Sequence, residues 1–528
     1  MAALPCAAHR LLKNRVFQQS AKAPNMKSGS GTLGEKMRSG ALWSYLQGGV
    51  GSVIQFASGV VLARLLAPDD LGLFFAVTAY SAFLGNQIKF GIPPALLQID
   101  ELEEVQLNSA FWVMQGVAIL SLLLVAVGAP FLADFYGDER YLSIMWLMAL
   151  SFPVIPFMSI NGTLLRRRMD FKTGSIIQLK SSLLSTALSI LTAFIGWGPY
   201  CFVVGGLTGV VSSSLMMYRA APWHPKRNFK LSAFGRIFSY AWRMHLNNSI
   251  NFLTNRLDSM ILGKALGFGS LGLFARARSL AALPEEKICI PIYQLAFAGF
   301  SRIQKDTQYS LAMYQKILCA TTSAVYPVLL GFIFLGDGFV GHIYGVKWLP
   351  AAFPMKILCI GMFFSVITLM SATLLEANNM VGRQTPIEIA NLVMTATALL
   401  VGAQWGLTGI AVGFAIKTVI LHYLILRLLA VSHLEITIKH ILAAIYPALV
   451  ATGVGAILGL VGRLLAYRFG MGPLDLGYMA LVGVLLGMGY VGAWWWITGK
   501  APQDSTAQAS RAFALQLLNR FRLPRISA

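Results

Sequence analysis

Apolar stretches of about 20 residues, nearly free of charge, follow one another along almost the whole chain. A helix rising 1.5 Å per residue needs about that many residues to cross a hydrocarbon layer about 30 Å thick. Closed barrels also span bilayers, but their strands alternate polar and apolar residues with period two, and these stretches are continuously apolar. A chain of 528 residues with 56% hydrophobic and 12% charged residues, and a mean hydropathy of +0.65, lacks the polar surface to coat soluble domains. The expected fold is therefore an all-α integral membrane protein with about 14 transmembrane helices. Candidate spans lie near residues 41–65, 71–93, 108–133, 142–165, 174–196, 199–218, 234–262, 271–298, 312–335, 352–375, 386–404, 408–429, 438–464 and 476–498.

A net charge of +21 would point to nucleic acid in a soluble protein, but here the basic residues gather in alternate loops, as the positive-inside rule requires. Inner loops are expected around Arg166, Arg167, Arg168 and Lys172, around Arg219, Lys226, Arg227, Lys230 and Arg236, and around Arg302, Lys305 and Lys316. Further inner positions are Arg383, Arg427 and Lys439, whereas Asp69-Asp70 and the stretch Asp134 to Glu139 are expected outside. Asp100 to Glu104 inside and Arg463 and Arg468 outside are the exceptions. An even number of crossings puts both termini in the cytoplasm of a bacterial inner membrane. Residues 1–37 are basic, carry no apolar core of signal-peptide length, and read as a cytoplasmic tail, with Met26 and Met37 as alternative starts. Residues 500–528 form a second tail, in which Phe513, Leu517 and Phe521 at a spacing of four suggest an amphipathic surface helix over 505–523. The five cysteines have no metal-type spacing and read as packing residues, and Trp494-Trp495-Trp496 as an interfacial belt.

The chain repeats itself at an offset of about 200 residues. Leu62, Arg64, Leu66 and Leu71-Gly72-Leu73-Phe74 recur as Leu262, Lys264, Leu266 and Leu271-Gly272-Leu273-Phe274; Thr163-Leu164-Leu165 recurs as Thr373-Leu374-Leu375, and Trp197-Gly198 as Trp405-Gly406. Six intervening helices keep the copies in the same orientation, so the repeats are parallel. The expected organisation is an N-lobe over 38–224, a C-lobe over 225–431 and two further helices over 432–499, with a cargo cavity between lobes near the midplane.

The seventh span departs furthest from what lipid permits. Arg243, Asn247, Asn251, Asn255 and Asp258 fall on one side of it, a polar stripe about 22 Å long, with Arg256 beside them. Charges at helix centres cost about 2.5–3.5 kcal/mol each on insertion, so the stripe is expected to face a cavity. Gln47, Gly51, Gln55 and Ser58, at the same offset of 200, would line it from the first span. Arg276 and Arg278 add guanidinium forks suited to a pyrophosphate or acidic sugar. Asp258, Glu285, Glu286 and Glu388 are the candidates for coupling to an ion. A plainer reading stands beside each: Lys89, Lys356 and Lys417 reach the interface by snorkelling, Arg243 sits early enough to be interfacial, and Arg256 and Asp258 can neutralise neighbours.

No GxxxxGK[ST], HExxH or GxSxG motif occurs, and no loop is long enough for an outer catalytic domain. The protein is therefore not expected to be an enzyme, and no catalytic residue, metal site or bound cofactor is assigned.

Ser39-Gly40-Ala41-Leu42-Trp43-Ser44, the stretch LARLLAPDDLGLF over 62–74 and NRLDSMILGKALGFGSLGLFARARSLAALP over 255–284 resemble the polysaccharide transporter family of oligosaccharide flippases, within the multidrug, oligosaccharidyl-lipid and polysaccharide exporter superfamily. Arg256, Asp258, Lys264, Arg276 and Pro284 match positions typical of that pattern, and Phe274 stands where relatives often carry Tyr. The resemblance implies two six-helix lobes, alternating access and a polyprenyl-pyrophosphate-linked saccharide as cargo. It also implies lipid contact, polysaccharide polymerase and export machinery as candidate partners, no nucleic acid, and a monomer. Membrane potential, or an H+ or Na+ gradient, would drive it. A multidrug or metabolite cation antiporter of the same superfamily is the alternative, which would want a more acidic and aromatic cavity.

Overall fold

The computed structural model describes residues 30–99, 101–304, 306–432, 434, 436–500 and 508. Residues 1–29 of the expected tail over 1–37 and, apart from residue 508, the expected amphipathic helix over 505–523 lie outside the described residues, while residues 30–37 of that tail belong to the first helix. Among the described residues there is no β-strand. Helices run α1 Ser30–Leu65, α2 Pro68–Lys89, α3 Ile92–Gln98, α4 Glu104–Tyr136, α5 Glu139–Ala149, α6 Ile155–Arg167, α7 Phe171–Phe194 and α8 Tyr200–Ala220. They continue as α9 Leu231–Pro284, α10 Ile290–Arg302, α11 Thr307–Ile343, α12 Ala352–Ala377, α13 Val381–Gly402, α14 Gly406–Val431, α15 Ile438–Arg468 and α16 Leu476–Lys500. The protein is a multi-pass, all-helical membrane protein.

Twelve segments among the described residues are long and apolar enough to cross a membrane, where the sequence suggested about fourteen. Two of the twelve, Phe252–Arg302 and Gly382–Val431, are 51 and 50 residues long. Each measures about 75 Å by helix rise, more than twice a hydrocarbon core. Both bend where expected spans were to end: α9 at Gly267 (φ 80°, ψ 166°), and the second between α13 and α14 at Gly406 (φ 65°). The seventh and eighth spans, expected as separate helices, are two helices that meet at Gly267, whose non-helical backbone kinks the α9 segment between them; a π-turn follows at Glu285–Cys289.

The two copies of the repeat differ at this bend for a local reason. Position 67 is Ala, and Pro68 then starts α2 afresh, helped by Asp70, whose carboxylate accepts from the Ala67 N–H at 3.2 Å. The equivalent Gly267 interrupts the helix instead by a backbone conformation that only glycine adopts readily, with no proline to restart it. The two Leu-Gly-Leu-Phe motifs also meet. A Cβ on Gly72 would collide with the Phe268 carbonyl, and a Cβ on Gly272 with the Pro68 carbonyl. These are one contact repeated at an offset of 200.

By internal contacts the chain divides into two compact units, Met1–Gly272 and Leu273–Ala528. In the first, a buried cluster of Ile92, Leu96, Phe111, Met114, Ile160, Leu164 and Trp223 ties α3, α4 and α6 to the segment after α8. Loops expected inside gather there: Lys226 Nζ lies 2.6 Å from Glu104, the Trp112 indole N–H donates to the Lys226 carbonyl at 2.9 Å, and Arg168 donates to the Ala220 carbonyl at 3.4 Å. Loops expected outside gather likewise, with Arg140 reaching Asp138 at 2.7 Å, Asp69 at 2.9 Å and Asp70 at 3.5 Å. In the second unit α15 and α16 pack through glycines, Gly455 against Leu486 and Tyr490 and Gly462 against Val482, the small-residue contact that membrane helices favour.

Candidate functional site

The first unit carries a polar trough between membrane helices. Along α1, Leu46, Val50 and Val53 are exposed apolar residues, while Ser44, Gln47, Gly48, Gly51, Ser52, Gln55 and Ser58 occupy the other side at helical spacing. The facing stripe of α7 repeats every four residues: Gln178, Ser182 and Thr186. Together, Ser44 excepted, they line a cavity of ≈ 430 Å³. A second cavity of ≈ 380 Å³ shares Gln47 and Gln178 with it and extends to Ser44, Arg166, Asp170 and Gly174. From Ser44 to Ser58 the lining covers about 21 Å of helix. Asp170 is held by its own helix start, accepting from the Thr173 N–H at 3.0 Å, and Lys172 lies 5.5 Å over the Trp43 ring. Charge is confined to the Arg166 and Asp170 end; the remainder offers only amides and hydroxyls.

Gln47 and Gln55 both line this trough, opposite Gln178, Ser182 and Thr186 of α7, which were missed, and not opposite the polar stripe of α9 with which they were expected to share a cavity. The signal was present as a period-four polar ladder in an apolar segment. It was overlooked because none of those residues is charged, and single Ser or Thr residues bond their own helix carbonyls at little cost in a membrane. Ser52 and Ser58 do so, donating to Gly48 and Gln55 at 2.8 and 3.0 Å.

The polar stripe of α9 is more varied than a helical wheel suggests. The side chains of Arg243, Asn247 and Asn251 lie outside the described residues. Asn255 is exposed, Arg256 half-buried, and Asp258 buried with its carboxylate accepting from the Ser259 N–H at 2.8 Å. His245 is buried against Phe90, ring centroids 4.4 Å apart.

In the second unit the basic residues lie on aromatic faces. Arg276 is 4.8 Å over Tyr344 and 5.4 Å over the fully buried Trp348. Arg278 at 5.5 Å and Lys417 at 4.9 Å share the Phe414 ring, and Lys417 also donates to the Thr395 hydroxyl at 3.1 Å. Such contacts are worth about 0.5–2 kcal/mol each, more where water is excluded. Among the acids, Glu286 and Glu388 are exposed. Glu285, half-buried on the π-turn, accepts from the Ser365 hydroxyl at 2.6 Å, with Arg278 in electrostatic reach. π-turns within α-helices are frequent at functional positions. An apolar groove of ≈ 550 Å³ between α13 and α14 touches Lys417 but has no polar ladder.

These geometries accompany clear similarities. A family model described as polysaccharide biosynthesis protein matches residues 61–353. The lipopolysaccharide biosynthesis protein WzxC of Escherichia coli (strain K12) is 23% identical over 396 residues, covering 74% of this chain and 80% of its own. The teichuronic acid biosynthesis protein TuaB of Bacillus subtilis (strain 168) is 23% identical over 332 residues, 62% of this chain and 68% of its own. Among solved structures, the lipid II flippase MurJ in its inward closed conformation superposes with a TM-score of 0.67 at 15% identity, over 86% of this chain and 99% of that one, a likeness of fold. Because the family model spans more than half of its length, the chain belongs to the polysaccharide biosynthesis protein family.

Proposed function

We propose that this protein is a flippase carrying polyprenyl-pyrophosphate-linked oligosaccharide units across the bacterial inner membrane, for exopolysaccharide, capsule or O-antigen assembly. The observation that carries the reading is the trough of amides and hydroxyls cut into membrane-spanning helices, which lipid alone would not sustain. Family membership and the fold shared with a lipid II flippase support it. Saccharide hydroxyls would be sheltered by protein while the prenyl tail stays in lipid. In this reading two six-helix lobes of a fourteen-crossing monomer alternate access, and both termini are cytoplasmic. With the inside negative, outward movement of an anionic pyrophosphate gains about 2.3 kcal/mol per charge per 100 mV. If an H+ or Na+ gradient is used, Glu285 is the favoured carrier of Asp258, Glu285, Glu286 and Glu388, since it alone joins the π-turn to a neighbouring helix hydroxyl. The cation antiporter fits less well: Arg276, Arg278 and Lys417 already occupy aromatic faces that a cationic drug would need.

The test is reconstitution of the purified protein in proteoliposomes with fluorescent undecaprenyl-pyrophosphate tetrasaccharide, following exposure of label to an impermeant quencher. Protein-dependent translocation is expected; its absence, with ethidium antiport observed instead, would replace the flippase by the antiporter.

A further inference from the structure

Gly48 and Gly51 sit in the middle of α1, where glycine lowers helix stability relative to alanine. Glycines in membrane helices are usually explained by a neighbour packed against them, as at Gly72 and Gly455. Among the described residues there is no such neighbour here: a Cβ on Gly48 or Gly51 would meet none of them within 4 Å, and the same is true of Gly174 across the trough. All three line its cavities. The missing side chains make room without being filled by protein, and what surrounds the room is Gln47, Gln55, Gln178, Ser182 and Thr186, groups that both donate and accept.

We propose that the trough between α1 and α7 is a binding site for the uncharged saccharide portion of the cargo, with Gly48, Gly51 and Gly174 providing the depth for sugar rings and the three glutamines bonding their hydroxyls. The proposal rests on the flippase reading and deepens it by naming the sugar chemistry. An amide gives a neutral hydroxyl both kinds of partner. A carboxylate placed beside Gln55, Ser182 and Thr186 would lose its hydration with no countercharge among the lining residues of that cavity, which disfavours acidic sugars there. The guanidinium nearest the trough is Arg166, at the other end.

The experiment uses the full chain in lipid nanodiscs and measures dissociation constants for three probes: undecaprenyl pyrophosphate, the same lipid carrying a neutral tetrasaccharide, and the same lipid carrying a tetrasaccharide of uronic acids. The neutral-glycan lipid should bind at least about tenfold more tightly than the bare lipid, the effect of one or two net hydrogen bonds. Gly51→Leu should remove that difference and raise the melting temperature, because leucine fills the trough and favours the helix. Loss of glycan recognition together with higher stability is a combination that a merely structural glycine does not produce. A preserved difference in Gly51→Leu, or equal affinity for the uronic-acid lipid, would overturn the proposal. Should Gly51→Leu fail to insert, Gln178→Leu serves in its place with the same two outcomes for glycan recognition. Binding of all three lipids with one affinity would overturn the trough assignment and leave the flippase standing, whereas binding of none would remove the flippase reading itself.

Discussion

At Asp138 one carboxylate caps α5 and anchors a loop corner, accepting from the Arg140 N–H at 2.9 Å and pairing with its guanidinium at 2.7 Å. Burial would raise the Asp138 carboxyl, but the Arg140 hydrogen bonds outweigh it and hold the group below its ordinary 3.8. A depressed carboxyl contributes stability that is complete above that value and lost as pH falls through the lower, folded one. Melting temperature should therefore be insensitive to Asp138 between pH 5 and 8, and Asp138→Ala should cost about 1 kcal/mol there, chiefly as a lost cap. Asp138→Asn, which keeps the cap, should cost less, since an exposed pair contributes little. The arginines separate in the same way. Arg276→Gln should lower the melting temperature by removing two ring contacts, about 1–2 kcal/mol in sum, whereas the half-buried Arg256→Gln should change transport more than unfolding; thermal unfolding and flipping assays on both variants decide. Gln47 and Gln55 could be picked out because amides are conspicuous in an apolar span. Which residues face them could not, since side-chain partners across helices depend on packing that no local pattern encodes.

For the helices, position and polarity were legible, but joints were not. Hydropathy marks where apolar runs begin and end, and it cannot distinguish a loop from a bend inside one helix. α9 illustrates the point: Gly267, between the expected spans 234–262 and 271–298, joins two helices by a glycine-only kink with no intervening loop. Gly267→Val should cost about 1–3 kcal/mol through backbone strain, read as a lower melting temperature with intact helix content by circular dichroism. The repeat at offset 200 could be read from residues alone, yet not that its two Leu-Gly-Leu-Phe motifs touch. Gly72→Ala and Gly272→Ala should each destabilise by about 1–3 kcal/mol, because the colliding atoms are backbone carbonyls that cannot swing aside. If either variant unfolds at the parent temperature, the reciprocal contact is wrong.

For the whole molecule, the flippase reading makes a directional prediction: imposing an inside-negative potential of about 100 mV should accelerate outward translocation of the pyrophosphate-linked cargo, and collapsing it with valinomycin and equal K+ should abolish that gain. A rate that instead follows a pH gradient, and is lost in Glu285→Gln, would put the proton in control. The solvent of this protein, its helical class, its repeat and its family can all be read from residues alone, because each is written in local composition or in ordered matches along one dimension. Which polar residues share a space is set by tertiary packing. It joined α1 to α7 across more than a hundred residues, put Gly48 and Gly51 on the floor of an open trough, and stacked Arg276 on aromatic rings from a distant turn. The physical reason is that a helix dictates which of its own residues lie on one face, while the neighbour that face meets is selected by the packing of the remaining helices.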